Sequence, residues 1–335
     1  MTELAGKTVL VTGATGFLGG ALVRRLAKDG AQVRALVRSP EKTGWMHDLP
    51  GVELVPGDIT DAARMQAVCA NCTVVIHAAA ALGGNLAHQQ RVNVIGTQHV
   101  VQAAAATGVE RLVHISSLAV YGYRRQAAVV TEELGPAPTY DAYSLTKSAA
   151  EGVVRDVASR SGLAYTILRA GGIYGPHARY WTVRLFKLAQ RQPLIMPGQG
   201  RGTVPLIYVD DLLDLCAIVA THPAAVNETY NAAYDPPPTM REYLDALARL
   251  AGHPVRWLAL PVWPVRLAAK VATLGARPGT RRGDLPGLMV MLTHYTVYSM
   301  AKARAQLGWQ PPTDLATGIQ RSAAWLREQG LLEHT

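Results

Sequence analysis

What this chain lacks narrows it before any motif is read. Charged residues make up only 17% of it against 49% hydrophobic, a balance that fills a core and excludes a disordered chain. Three cysteines and a polar start from Met1 to Lys7, with no secretory segment, fit a reducing, cytoplasmic compartment. Cys69 and Cys72 stand in C-x-x-C spacing without a second pair or a histidine at ligand spacing. No metal site is expected there, and a packed helix end is the better reading. The most membrane-like stretch, Val255 to Leu274, is interrupted by Arg256, Pro261, Pro264, Arg266 and Lys270. That excludes a membrane span and leaves at most an amphipathic face on a bilayer surface. The +9 formal charge is scattered, without the aromatic-interleaved basic stripe of a nucleic-acid binder. It suits phosphate-bearing cofactors and acidic substrates instead. There is no internal repeat and no low-complexity segment beyond alanine runs.

What is present is an alternation of short apolar runs and helical stretches. Lys7 to Thr12 is β-branched and ends directly in Gly13-Ala14-Thr15-Gly16-Phe17-Leu18-Gly19, followed by the helical Ala21 to Lys28. Strand, glycine turn and helix in that order bring backbone N–H groups at a helix N-terminus up to a pyrophosphate, where the dipole favours negative charge. Further strands are read at Gln32 to Val37, Val52 to Pro56, Val74 to His77, Arg111 to Ser116 and Leu163 to Leu168, with helices at Arg91 to Thr107 and Tyr140 to Arg160. Val204 to Val209 reads as another sheet strand, Asp210 and Asp211 as the cap and first turn of the next helix, and Thr229 to Asn231 as extended. This spacing implies an α/β fold, a doubly wound parallel sheet of Rossmann type, with a smaller, mainly helical C-terminal substrate lobe. The dinucleotide domain is expected over 1–171, 203–234 and about 292–304, and the substrate lobe over 172–202, 235–291 and 305–335.

Ligands of such a sheet gather at the carboxyl ends of its strands. The second strand lacks the acidic residue that would bind a free ribose 2′-hydroxyl and ends at Arg38, with Arg34 and Lys42 nearby. Charge complementarity there suits a 2′-phosphate, hence NADP in preference to NAD. Asp58 and Ile59 are candidates to bracket the adenine, and Ala78, Ala79 and Ala80 leave room for a cofactor. Tyr143 and Lys147 share one helix face, so the cation can sit beside the phenol and favour its ionised form.

Taken together, the chain resembles the extended short-chain dehydrogenases/reductases, the group of NAD-dependent epimerases and dehydratases, 3β-hydroxysteroid dehydrogenases and dihydroflavonol-type reductases. The motifs are T-G-A-T-G-F-L-G from Thr12, G-D-I-T-D from Gly57, V-I-H-A-A-A from Val75, V-N-V-I-G-T from Val92, S-S-L-A-V-Y-G from Ser116, Y-S-L-T-K from Tyr143, L-R-A-G-G-I-Y-G-P from Leu168, Y-V-D-D from Tyr208 and the tail from Ala301. The resemblance implies Ser117, Tyr143 and Lys147 as the catalytic set. Tyr143 would be general acid/base, Lys147 would lower its pKa and hold the nicotinamide ribose, and Ser117 would polarise the carbonyl. It also implies cofactor contacts from the Gly13–Gly19 turn and Asn93, and a homodimer.

Departures from the family pattern narrow the chemistry. Dehydratases of the group carry an acid pair after the catalytic hydroxyl, where this chain has Leu118 and Ala119. Many nucleotide-sugar enzymes carry a substrate-binding asparagine where this chain has Gly172. The expected activity is therefore hydride transfer with a small, hydrophobic alcohol or ketone, which Tyr174, Tyr180, Trp181 and Tyr208 could wall. A nucleotide-sugar epimerase and a non-catalytic dinucleotide-binding protein stay open as alternatives. His77 and His114 read as strand residues.

Overall fold

Apolar runs too short for helices and bounded by turns become the strands of one parallel sheet. The computed structural model describes residues 3–122, 128–138, 141–272 and 293–333. In chain order the strands are β1 (Thr8–Thr12), β2 (Gln32–Val37), β3 (Val52–Pro56), β4 (Val74–His77), β5 (Arg111–Ser117), β6 (Val129–Val130), β7 (Tyr165–Ala170), β8 (Gly172–Tyr174), β9 (Leu194–Pro197), β10 (Leu206–Tyr208), β11 (Glu228–Ala232), β12 (Trp257–Leu260) and β13 (Val297–Tyr298). Seven of them form the main sheet in the order β11-β7-β5-β4-β1-β2-β3. Every neighbouring pair in it is parallel.

Both faces of the central strands are covered, which is why Val9 to Val11 of β1 and Val74 to Ile76 of β4 are apolar in a row rather than alternating. Val9 and Val11 of β1 point into the core shared with helices Phe17–Lys28 and Val209–Thr221, while Leu10 points into the core shared with Ala62–Cys69, Gly96–Ala106 and Ala142–Ser161. From β1 the chain winds outward through β2 and β3, then returns to start β4 on the other side of β1. That reversal leaves a crevice at the carboxyl ends of β1 and β4, the place where an open α/β sheet binds ligands.

The strand readings at Gln32–Val37, Val52–Pro56 and Val74–His77 coincide with β2, β3 and β4, and Thr229–Asn231 lies within the edge strand β11. Other readings are corrected: the strand read at Leu163 to Leu168 is β7, Tyr165–Ala170. β5 runs on through Ser117, and the strand read at Val204 to Val209 is β10, which pairs with β8 in a separate two-stranded sheet. A three-residue apolar strand carries no signal for which sheet takes it. The expected single helix from Arg91 is in fact Leu86–Gln89, a π turn at Gln90–Ile95 and Gly96–Ala106. Cys69 ends a helix and is buried, as is Cys72. Among the described residues no helix is long and apolar enough to cross a membrane. Of the stretch Val255 to Leu274, the last two residues lie outside the described ones.

Candidate active site

The glycine turn is shaped by what cannot fit there. Gly13 has φ +71°, and a Cβ on it would lie 2.8 Å from backbone atoms of Ala79. A Cβ on Gly19 would lie 2.0 Å from the Gly13 carbonyl oxygen. Only glycine permits β1, the helix Phe17–Lys28 and the loop after β4 to close so tightly. Gly16 is the N-cap of that helix, which no side chain caps and whose first turn has no acidic residue. Thr15 and Gly16 are exposed, Phe17 is half-buried, and Leu18 and Gly19 are buried. An uncapped N-terminus behind a glycine-rich turn is a fit for the pyrophosphate of a dinucleotide.

The rest of the expected cofactor set is less uniform. Arg38 is exposed at the end of β2, where its charge reaches Asp58. Partial burial raises the pKa of Asp58, but hydrogen bonds from Thr60 and the charges of Arg38 and Arg91 hold it below the usual range. Arg34 is engaged elsewhere, donating to the Val68 and Ala70 carbonyls at 2.8 Å each. Ile59 is buried, against Gly96. Ala78 and Ala79 are half-buried and Ala80 exposed at the mouth of the crevice. Asn93 is fully committed: its amide bridges Ala81 N (2.7 Å), Ala81 O (3.0 Å) and the Thr146 hydroxyl (3.0 Å). It ties the cofactor loop to the helix carrying Lys147 rather than offering itself to a ligand.

Asp141 caps the helix Ala142–Ser161 by accepting from Ser144 N at 2.7 Å. Residues 143, 147 and 151 then follow one another at i, i+4 and i+8, on one face. Each meets the carboxyl end of β5. Tyr143 is hydrogen-bonded to Ser117. Lys147 Nζ donates to the Ile115 carbonyl at 2.5 Å, and Glu151 Oε1 accepts from the Ser116 hydroxyl at 2.6 Å. The three expected catalytic residues are thus in one register, with Ser117 reaching Tyr143 and Ser116 reaching Glu151.

The expected depression of the phenol pKa is not found. Burial pushes Tyr143 up to about 12, against the pull of the Ser117 hydrogen bond, and Asp141 adds to the rise. The ammonium of Lys147 is spent on a strand carbonyl. Burial brings Lys147 itself down to about 8, while Glu151 pulls it the other way. His77 and His114 stack across β4 and β5 at 5.3 Å. Burial and the nearby Lys147 push His77 down to about 3, so it sits neutral between the Thr12 and Thr97 hydroxyls.

Below Ser117, Tyr143 and Lys147 lies a network that motif reading passed over. Glu151, wholly buried, accepts from Arg169 Nε at 3.0 Å and Nη2 at 2.7 Å, and from Arg155 at 2.9 Å. Burial raises its pKa, but the Arg169 fork and charge outweigh that and hold it low. Arg169 Nη1 donates to the Tyr121 hydroxyl at 2.7 Å, which donates to Asn231 Oδ1 at 2.7 Å. The detectable signal was Glu151 itself, an acid on the same helix face as Tyr143 and Lys147.

The aromatic wall is also revised. Tyr174 and Tyr208 are buried to 1% and 2% exposure, and the Tyr174 hydroxyl is paired with Tyr234 at 2.6 Å. They are core, and a closed core ring cannot line an open cleft. Tyr180 is exposed and packs edge-on to Trp181 at 5.2 Å. Trp181 lies against Gly172, where a Cβ would come within 2.6 Å of its ring. The ring therefore fills the space a side chain at position 172 would need. Asp210 and Asp211 fall in the first turn of Val209–Thr221, and Asp211 accepts from the Thr313 hydroxyl at 2.6 Å.

Residues 9–233 match the NAD dependent epimerase/dehydratase family. The chain belongs to that family. A 2-alkyl-3-oxoalkanoate reductase of Stenotrophomonas maltophilia is 31% identical to it, over 94% of this chain and 98% of the relative. A UDP-glucose 4-epimerase of Vibrio cholerae is 26% identical, over 95% and 94%. Among solved structures, MoeE5 in complex with UDP-glucuronic acid and NAD is similar with a TM-score of 0.75 and 26% identity, covering 97% of this chain and 100% of that one. Reductases and epimerases thus stand side by side among the relatives, and the reaction has to be argued from the site.

Proposed function

We propose that this protein is an NAD(P)-dependent oxidoreductase acting on a carbonyl or secondary alcohol of an apolar substrate. The observation that carries it is the register of Ser117, Tyr143 and Lys147 at the carboxyl end of β5, beside the glycine turn. A bound nicotinamide would supply or accept the hydride. Ser117 would hold the substrate oxygen, and Tyr143, protonated at neutral pH, would donate its proton as negative charge develops there. Lys147, with Glu151 behind it, would keep a positive charge below the phenol and stabilise the phenolate left after transfer. Removal of water is disfavoured, since Leu118 and Ala119 stand where an acid pair would be needed.

The substrate class rests on Gly172 and Trp181. Where a polar side chain would reach for a sugar, this chain puts a bare backbone covered by an indole. That exchange favours apolar over hydrogen-bonding recognition. It agrees with the alkyl-chain oxoacid in the name of the Stenotrophomonas relative. NADP is the preferred cofactor on the strength of Arg38, with NAD the other candidate. Purified protein offered NADPH or NADH with apolar ketones, 3-oxoacids, flavanonols and hydroxysteroids should turn over at least one. Turnover of a UDP-sugar alone, with NAD retained, would make it an epimerase and overturn the reading. Tight dinucleotide binding without any turnover would make it a binding protein.

A further inference from the structure

Among the described residues, five of the fourteen exposed large hydrophobic side chains fall between Leu258 and Val271. Helix Val262–Ala272 follows β12 after Pro261, and Pro264 sits in its first turn, where a missing N–H costs nothing. Its Val265 packs on the core. On the other side Trp263, Leu267 and Val271, at i, i+4 and i+8, stand 72%, 56% and 57% exposed. β12 adds exposed Leu258 and Leu260, and its partner β9 adds exposed Ile195 opposite Leu258. Isolated surface leucines are ordinary, but a stripe with a neighbouring apolar ribbon is an interaction surface.

The charge around it names the partner. Between Asp245 and the end of the helix the sequence has no acidic residue, yet holds Arg249, Arg256, Arg266 and Lys270. Arg249 and Arg256 are exposed, as is Arg191 just before β9. We propose that the outer face of helix Val262–Ala272, with the β9/β12 ribbon beside it, docks on an anionic bilayer surface. Eleven residues are too few to cross the hydrocarbon, so the helix lies in the interface with its apolar stripe down. A second copy of the chain fits less well, because a twofold contact sets the same basic run against itself. The proposal stands apart from the reaction argued above.

The test is flotation of the full-length protein with vesicles of phosphatidylcholine alone and of phosphatidylcholine mixed with phosphatidylglycerol. The wild type should float with the mixed vesicles and detach as salt rises. Joint replacement of Trp263→Asp and Leu267→Asp should weaken binding at least about tenfold. Arg256→Glu should weaken it roughly fivefold or more, and only on mixed vesicles. Far-UV circular dichroism and dinucleotide binding, which these residues do not touch, check that the variants fold. Should a variant fail to fold, the wild type's own preference between the two vesicles decides. No flotation of the wild type, or flotation indifferent to phosphatidylglycerol, overturns the proposal. So does a folded double variant that still floats, or one whose only change in sedimentation velocity is loss of a dimer.

Discussion

Glu151→Gln gives the sharpest separation between a proposed catalytic helix face held by charge and one held by packing alone. The substitution keeps the shape and a partner for Ser116, but leaves the buried guanidinium of Arg169 without its carboxylate. Breaking such a pair at one side costs about 3–5 kcal/mol. Unfolding entropy of about 2.1 cal/mol/K per residue over 335 residues gives about 0.7 kcal/mol/K, so the loss corresponds to roughly 4–7 °C in melting temperature. Arg155→Ala, removing the outer and partly exposed partner of Glu151, should cost less than about 1 kcal/mol. The second readout is pH. Lys147 titrates at about 8, lowered by burial and held from falling further by Glu151. Without that negative charge the ammonium is lost at lower pH, so the alkaline fall in kcat/KM for ketone reduction should move toward acid. Thermal unfolding with both variants and a pH–rate profile below the melting transition measure both effects. An unchanged melting temperature refutes the energetic argument, and an unmoved alkaline limb refutes the coupling of Glu151 to Lys147.

Other outcomes follow from single contacts. Gly13→Ala forces a side chain into φ +71°, costing about 1–2 kcal/mol, and against the Ala79 backbone. NAD(P)H fluorescence titration should report at least a tenfold loss of affinity, and unchanged affinity would remove the turn from the cofactor site. Arg38→Ala should weaken NADPH far more than NADH, because only the former carries the 2′-phosphate; equal losses for both would refute that role. Gly172→Asn should meet the Trp181 ring and destabilise the protein, and adding Trp181→Ala should relieve the clash. If the single variant melts like wild type, the ring does not occupy that space.

Much of this was legible in the residues, for identifiable reasons. β1, β3 and β4 are short runs rich in valine that end at or just before glycine, proline or alanine, so periodicity and turn chemistry agree. That Tyr143, Lys147 and Ser117 meet at the end of β5 was readable because spacing on a helix and position at a strand end are local properties. β10 was misjudged because a short apolar strand fits any sheet. Tyr174 and Tyr208 were taken for a cleft wall because residue type does not report depth. The Tyr143 pKa could not be read at all: burial raises it, against the Ser117 hydrogen bond, and neither spacing nor residue type reports burial. Glu151 and Arg169 meet from a helix and a strand, and only the lone acid on the catalytic face hinted at it.

The central claim, proton transfer by Tyr143 during net hydride transfer, is tested most directly with NADPH carrying deuterium at nicotinamide C4. Wild-type protein should move the deuterium to the carbinol carbon of a reduced apolar ketone, with one cofactor oxidised per product. Tyr143→Phe should bind cofactor as before while that transfer slows about 10²- to 10⁴-fold. Transfer at an undiminished rate in Tyr143→Phe, or turnover of a UDP-sugar with no net cofactor oxidation in the wild type, would contradict the account.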